Sequence, residues 1–155
     1  MKSLYLTAIL PPPELTEEID DIRKECAEKF NVKAALKPPV HITLFRPFKL
    51  DSEREKELLK MLSPVTYNHQ PFKVEIENFD TFNSNVIFIR VIKNKELSSL
   101  QHEISRIYNH NKVDPQEVKG NKAFHPHITI AYRDIPATTF PAMWAEYKDR
   151  KFKRS

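Results

Sequence analysis

Two short segments of the sequence carry the same pattern of a histidine, an aliphatic residue, a threonine and a second aliphatic residue. They are residues 41–44 (HITL) and residues 127–130 (HITI). Alternate side chains of a β-strand lie on the same face of its sheet, so each segment would present one imidazole and one hydroxyl together. Such a polar face is costly to bury without partners on strands otherwise rich in Ile, Leu and Phe. The pattern therefore predicts that both faces line a groove.

The groove would hold two imidazoles, from His41 and His127, and two hydroxyls, from Thr43 and Thr129. Cleaving a phosphodiester requires one group that deprotonates an attacking water or hydroxyl and another that protonates the leaving oxygen. Two histidines, one neutral and one charged, can carry out both proton transfers near neutral pH. Each typically accelerates the reaction by roughly 10²–10⁴-fold. Threonine hydroxyls can donate hydrogen bonds to the non-bridging phosphate oxygens as charge develops there. Nothing in this chemistry requires a metal ion or another cofactor.

The histidines also allow other interpretations. A single copy of the pattern would usually be structural, but two copies at equivalent places in the chain favour a site. His125 and His127 form an H-x-H pair that could bind a metal ion, although no third ligand is evident and Pro126 constrains the pair. The remaining histidines lie in polar or helical contexts, and we expect them at the surface: His69, His102 and His110.

The composition limits the kind of phosphate site that the chain can build. Its net charge of +4 suits an anionic ligand, but many basic proteins have none. Part of the excess lies in a basic tail, for which a solvated chain end is a better interpretation than a phosphate-binding arm: Lys148, Arg150, Lys151, Lys153 and Arg154. The single glycine, Gly120, excludes phosphate loops and dinucleotide-binding motifs, because these need several glycines. Side chains must therefore hold any phosphate.

The size and cysteine content are those of one intracellular domain. The 155 residues fit a single domain, 1–155, and no apolar segment approaches the length of a membrane span. Cys26 is the only cysteine, so an intrachain disulfide is impossible and we expect a reducing, cytoplasmic location. Because it belongs to an apolar helical repeat, we interpret it as a core thiol. We expect a monomer without membrane association.

The hydrophobic periodicity predicts alternating strands and helices. Residues 3–10 predict a buried strand, Ser52 with Glu55 forms a capping-box pattern, and residues 83–85 (NSN) predict a hairpin turn. In chain order we predict strand 3–10, helix 14–30, strand 40–45, a helix after residue 52, strand 72–82, strand 86–92, a helix over 97–107, strand 126–132 and helix 139–148.

Each half of this order carries its histidine pattern on its second strand. That arrangement indicates an internal duplication, with the two polar faces opposed if the halves pack about a pseudo-twofold axis. A hairpin together with helices in both halves favours an α+β fold with antiparallel pairing over a doubly wound parallel sheet.

The segments KPPVHITLF and FHPHITIAYRD resemble the paired motifs of the two-histidine phosphoesterase superfamily, which includes bacterial 2′-5′ RNA ligases and RNA 2′,3′-cyclic phosphodiesterases. The resemblance covers nearly the whole chain in element order. It implies a bilobal α+β fold, with an antiparallel sheet in each lobe and the active site in the central cleft. Members usually continue after the last helix into a further strand, whereas this chain stops at Ser155. We therefore expect that strand to be missing or the second lobe to be abbreviated.

For activity, the resemblance implies a metal-independent phosphodiesterase that acts on 2′,3′-cyclic phosphate ends of RNA or on cyclic nucleotides, with 2′-5′ ligation as the reverse reaction. By analogy with the family, His127 is the base that activates water and His41 is the acid, with Thr43 and Thr129 on the phosphate. The partner would be an RNA end or a nucleotide. Two alternatives stay open: a phosphodiesterase of 2′-5′-linked oligonucleotides, and a non-catalytic nucleotide-binding module.

Strand phase ranks the neighbours of the two motifs. Arg133 is in register with His127 if the strand continues that far, and we predict that it contacts a phosphate or ribose. Arg46 is out of register with His41 and would need a turn of the chain to do the same. Phe45 is in phase with His41. It could stack on a base, or it could pack in the core or at the rim of the site.

Overall fold

A computed structural model of the chain describes residues 1–114 and 123–155. These residues form four α-helices and two antiparallel sheets, which confirms the predicted α+β class. The elements follow one another as β1 (Lys2–Ile9), α1 (Pro13–Phe30), β2 (Ile42–Asp51), α2 (Glu55–Asn68), β3 (Ile76–Phe82), β4 (Val86–Val91), α3 (Lys95–His110), β5 (His127–Tyr132), α4 (Phe140–Tyr147) and β6 (Lys153–Arg154). Short 3-10 turns occupy Ala34–Leu36 and Ser52–Arg54. Within the described ranges, no helix is long and apolar enough to cross a bilayer.

The chain divides into two compact units, and neither of them is one half of the sequence. Unit 1 contains Met1–Ala8, Thr43–Lys73 and Lys93–His125, and unit 2 contains Ile9–Ile42, Val74–Ile92 and Pro126–Ser155. The two units therefore do not correspond to the two halves of the predicted duplication. Helix α1, from the first half, contacts β5, from the second.

Unit 2 is built on the four-stranded sheet, with the strands in the order β5-β4-β3-β6. Helices α1 and α4 contribute their apolar faces to one buried cluster with residues of this sheet. From α1, the following loop and the first residue of β2 the cluster takes Ile19, Ile22, Cys26, Val32, Val40 and Ile42, and from the sheet it takes Ile76, Phe79, Ile87, Ile89, Ile128, Ile130 and Ala131. Burying this much apolar surface is the main force that holds the unit together.

The turn between β3 and β4 forms where the sequence predicts it. Asn83 and Ser84 both have positive φ, at 47° and 56°, and the Asn85 amide donates to the Phe82 carbonyl over 3.0 Å. This is a type I′ turn, whose twist matches that of the two strands it joins. Asparagine tolerates the left-handed region better than most residues, which explains why the turn needs no glycine.

A strand does follow the last helix, as in other members of the family that the sequence resembles, so the expectation that this strand is missing is wrong. Strand β6 is two residues long and pairs antiparallel with β3, with Ile76 opposite Arg154 and Glu77 opposite Lys153. Phe152, just before it, is buried in the core of unit 2. The sequence gives little sign of β6 because two charged residues carry no hydrophobic pattern.

Unit 1 is built on the two-stranded sheet β1-β2 together with helices α2 and α3. The Met1 carbonyl accepts from the backbone N–H and the hydroxyl of Ser52, at 3.0 and 2.9 Å, so the start of β1 lies beside the end of β2. Ser52 is thus not the predicted helix cap, and the Asp51 carboxylate instead accepts from the Glu53 amide. Pro47 lies within β2, where an edge strand tolerates its missing N–H.

Strand β1 is not the buried strand that the sequence predicts. Leu4 is 70% exposed and Leu6 is 39% exposed, and these alternate residues lie on one face of the strand. The apolar run had suggested cover on both faces. A strand of a two-stranded sheet can have one face uncovered, which hydrophobicity alone does not reveal.

Cys26 lies in the core of unit 2, as the sequence predicts, and is fully buried. Burial raises the pKa of its thiol to about 11, so the thiol stays neutral at ordinary pH. We expect iodoacetamide at pH 8 to leave the native protein unmodified and to alkylate it fully in concentrated guanidinium chloride. Mass spectrometry of the intact chain measures this directly, because there is one cysteine. Equal labelling rates in both states would mean that α1 is not packed on its sheet.

Candidate active site

His41 lies directly before β2, where buried and partly exposed residues alternate. Val40 and Ile42 are 2% and 4% exposed and belong to the core of unit 2, whereas His41 and Thr43 are half-buried. The strand begins at Ile42, one residue after the histidine. The predicted alternation nevertheless holds across that boundary, because the apolar residues on either side of the imidazole are anchored in the core.

A backbone contact determines which nitrogen of His41 can react. Its Nδ1 lies 2.6 Å from the carbonyl oxygen of Pro39. A carbonyl can only accept, so Nδ1 carries a hydrogen and donates. In the neutral ring Nε2 is then the nitrogen with the lone pair, and in the charged ring it is a second donor. Nε2 is therefore the atom through which His41 can take or give a proton.

His127 is the first residue of β5, and its neighbours alternate in the same way. Ile128 and Ile130 are each 1% exposed and belong to the core of unit 2, whereas His127 and Thr129 are half-buried. The pairing with β4 places Arg90 opposite His127 and Phe88 opposite Thr129. Residues that pair across strands share a face. The Arg90 guanidinium, the Thr129 hydroxyl and the His127 imidazole therefore lie on the same face of the sheet.

The His127 imidazole packs against two phenylalanine rings. The Phe82 ring meets it edge to face, with centroids 5.0 Å apart, and the Phe88 ring lies at 5.2 Å. Phe82 and Phe88 are themselves stacked at 4.2 Å. These contacts restrict the orientation of the imidazole. The sequence does not point to them, since they depend on the hairpin that folds β3 onto β4.

Both histidines thus belong to unit 2, and each is bordered by residues of one buried core. The sequence predicts that the two motifs work together, and a shared core gives both imidazoles a common rigid support. Thr129 belongs to the same unit, while Thr43 begins a stretch of unit 1.

The structure places Phe45 and Arg46 in contacts of their own within unit 1. Phe45 is 4% exposed, and its ring meets that of Tyr108 edge-on at 4.7 Å. The Arg46 guanidinium lies 4.6 Å from the Phe45 centroid and forms an ion pair with Asp114 at 3.0 Å. Phe45 therefore packs in the core. The sequence had left two roles open for it, stacking on a base and packing in the core or at the rim of the site. Stacking on a base would require this ring to be uncovered first.

The phase argument for Arg133 does not hold in the structure. Strand β5 ends at Tyr132, and Arg133 has a φ of 69°, in the left-handed region. Its guanidinium folds back to 5.1 Å from the Tyr132 ring centroid. A bulge in the pairing of β4 with β5 also breaks the strict alternation before that point. A role for Arg133 on the phosphate stays a prediction, without support from strand register.

The other histidines differ in their surroundings. His102 and His110 are exposed, as expected. His69 is not a free surface residue, because its Nε2 lies 2.6 Å from the Glu103 carboxylate and its side chain is 20% exposed. In the described part of the chain, no three His, Cys, Asp or Glu side chains are grouped as metal ligands would be.

Part of the basic tail is paired with α1. Arg150 forms an ion pair with Glu25 at 3.2 Å, and Arg154 forms one with Glu18. These contacts are exposed, so each contributes little to stability. They do show that two of the tail's charges lie along α1.

The sequence did not point to Arg23 and Asp134, two residues that the fold brings to the loop before His41. Arg23 is 3% exposed and donates to backbone carbonyls of the loop before His41. Asp134 accepts from two amides at the start of that loop. A signal for Arg23 was available, since it follows Ile19 by four residues and therefore lies on the apolar face of α1.

Known proteins resemble this chain in sequence and in fold. The model of the 2′-5′ RNA ligase superfamily matches residues 11–154. A protein of Geobacillus kaustophilus, provisionally named a phosphoesterase, is 30% identical over 146 residues, which are 93% of this chain and 77% of that protein. The crystal structure of Escherichia coli LigT with 3′-AMP superposes with a TM-score of 0.60 at 22% identity, over 87% of this chain and 76% of LigT. A crystal structure described as a phosphoesterase gives 0.63 at 22% identity, over 86% of this chain and 73% of that one. The chain belongs to the 2′-5′ RNA ligase superfamily of two-histidine phosphoesterases.

Proposed function

We propose that this protein is a metal-independent phosphodiesterase that opens 2′,3′-cyclic phosphates at RNA ends or on nucleotides, and that the same site carries out 2′-5′ ligation when an RNA 5′-hydroxyl attacks the cyclic phosphate in place of water. The proposal rests on one observation. The apolar residues on either side of His41 and of His127 are buried in the same core, so both imidazoles face away from that core. Membership of the superfamily and the phosphoesterase class of its relatives support the same chemistry.

In the proposed reaction, His127 takes a proton from water as the water oxygen attacks phosphorus. The bond from phosphorus to the leaving ribose oxygen breaks, and charged His41 gives that oxygen a proton from Nε2. The Nδ1–H of His41 donates to the Pro39 carbonyl in both charge states, so proton transfer at Nε2 does not disturb the ring's anchor. Thr43 and Thr129 would donate to the non-bridging oxygens. Exchange with solvent then restores both histidines.

A nucleotide is the substrate class that the fold comparison favours. LigT was crystallised with 3′-AMP, a nucleoside with one phosphate on its ribose. A 2′,3′-cyclic nucleotide is of similar size and carries its phosphate on the same part of the ribose. The Phe82 and Phe88 rings next to His127 offer apolar surroundings that would exclude water from one side of the reacting phosphate.

A substrate panel without added metal tests the proposal. The panel contains 2′,3′-cyclic nucleotides, an RNA with a 2′,3′-cyclic phosphate end, and a 2′-5′-linked dinucleotide. We expect the cyclic phosphates to be opened, at a rate that a strong chelator leaves unchanged, because side chains carry out both proton transfers. Activity that chelator abolishes and zinc or manganese restores would instead favour the metal role of His125 and His127. Cleavage of the 2′-5′ dinucleotide alone would indicate the alternative substrate, and tight binding without turnover a binding module.

A further inference from the structure

The loop between α1 and β2 leads directly to His41, and side chains hold it at both ends. At its start, one oxygen of the Asp134 carboxylate accepts from the amides of Lys33 and Ala34, at 2.7 and 3.0 Å. Asp134 follows β5, the strand of the second motif. The chain after one motif therefore anchors the loop before the other.

At the end of the loop the anchor is Arg23. Its Nη2 donates to the carbonyl of Ala35 and, over 2.8 Å, to that of Pro38. The side chain is 3% exposed, and its Nε lies 3.7 Å from the Asp20 carboxylate. Burial lowers the pKa of Arg23 below its usual value, and Asp20 opposes that effect, but an arginine remains charged in a protein. A buried charge is retained at a cost, and here its hydrogen bonds go to backbone carbonyls of this loop.

The Pro39 carbonyl, which holds His41, has little freedom to move relative to the Pro38 carbonyl. The peptide bond between Pro38 and Pro39 is planar, and the pyrrolidine ring of Pro39 locks its φ. Once the Pro38 carbonyl is held, the ψ angle of Pro39 is the one soft torsion that orients the Pro39 carbonyl. That carbonyl accepts the hydrogen bond from His41 Nδ1 at 2.6 Å.

We propose that Arg23 is a positioning residue for His41, which fixes the backbone so that the Pro39 carbonyl holds Nδ1–H and leaves Nε2 as the reacting nitrogen. The effect on catalysis rests on the proposed function, in which His41 is catalytic. The effect on the imidazole does not, because it is a property of the folded protein without substrate.

The test replaces Arg23 with methionine and records two quantities: the tautomer of His41 from ¹⁵N NMR of the ring, and kcat and KM on a 2′,3′-cyclic nucleotide. In the unchanged protein we expect the neutral ring to be protonated at Nδ1. In Arg23→Met we expect a mixture of tautomers, and a kcat roughly 10-fold lower or more with KM within about 2-fold, since the phosphate contacts remain. Arg150→Met is the matched control. It removes another arginine that contacts α1, through Glu25, and should change neither quantity.

If circular dichroism shows that Arg23→Met does not fold, the tautomer of His41, kcat and KM are measured on Arg23→Lys instead. Lysine keeps the charge but is one bond shorter, so it cannot reach both carbonyls, and the same changes are expected. A folded variant with the tautomer and kcat of the unchanged protein would overturn the inference. If His41→Ala kept full activity, His41 would not be catalytic, while the tautomer measurement would still decide whether Arg23 holds the imidazole. If the unchanged protein opened no cyclic phosphate in the substrate panel, the proposed function would fail and the tautomer measurement would again be unaffected.

Discussion

Replacing His41 or His127 by alanine is expected to lower kcat on a 2′,3′-cyclic nucleotide by about 10²-fold or more. Each change removes one of the two proton transfers, and a positioned acid or base typically contributes that much. Both side chains are half-buried, while the apolar residues beside them form the core. The substitution should therefore leave the core intact and the melting temperature nearly unchanged.

The matched control for these variants is His102→Ala, which removes an exposed imidazole from α3. Its kcat should equal that of the unchanged protein. The measurement is steady-state kinetics, with circular dichroism on each variant to confirm folding. Full activity in folded His41→Ala or His127→Ala would place the reaction elsewhere, and the two-histidine mechanism would have to be abandoned.

The second large effect concerns which histidine is the acid. A cyclic or diester substrate with a very good leaving group, such as a nitrophenolate, departs without needing a proton. On such a substrate we expect the His41→Ala variant to recover most of the lost rate, because the proposed role of His41 is to protonate the leaving oxygen. The His127→Ala variant should stay slow, since water must still be deprotonated as it attacks phosphorus.

Comparing each variant on the poor and the good leaving group provides its own control. Recovery by His127→Ala instead of His41→Ala would show that the two roles are exchanged. The hydrogen bond from His41 Nδ1 to Pro39 is compatible with either role, because Nε2 can be a base when the ring is neutral and an acid when it is charged. The leaving-group experiment therefore decides a question that geometry leaves open.

The elements that the sequence predicts best are those with a strong local pattern. Helix α1 and strand β4 lie within one residue of their predicted bounds, and the hairpin turn forms where predicted, although β3 begins at Ile76, four residues later than predicted. In the helix, apolar residues recur at a helical period, and in the turn two adjacent residues tolerate positive φ. Strand β2 was predicted to end at residue 45 but continues to Asp51, because Pro47 interrupts the pattern without ending the edge strand.

Errors arose where a residue's partner lies far away in the chain. Strand phase placed Phe45 on the same face as His41, but the Tyr108 ring, from α3, covers it. Arg133 was ranked by a strand that ends one residue before it. Arg46 was considered only as a contact for the substrate's phosphate, ribose or base, whereas it pairs with Asp114. In each case periodicity predicts a direction within one element and says nothing about which other element will occupy that space.

The sequence by itself determined the α+β class, the two motifs and their four polar residues, and the superfamily, because these depend on local alternation and on residue types. Only the tertiary structure decided that both histidines rest on one core, that His41 donates through Nδ1, and that Arg23 and Asp134 hold the loop before it. Those facts depend on contacts between segments far apart in the chain, made when α1 and β5 pack together. A side chain such as Arg23 acquires its role from the carbonyls that folding brings to it.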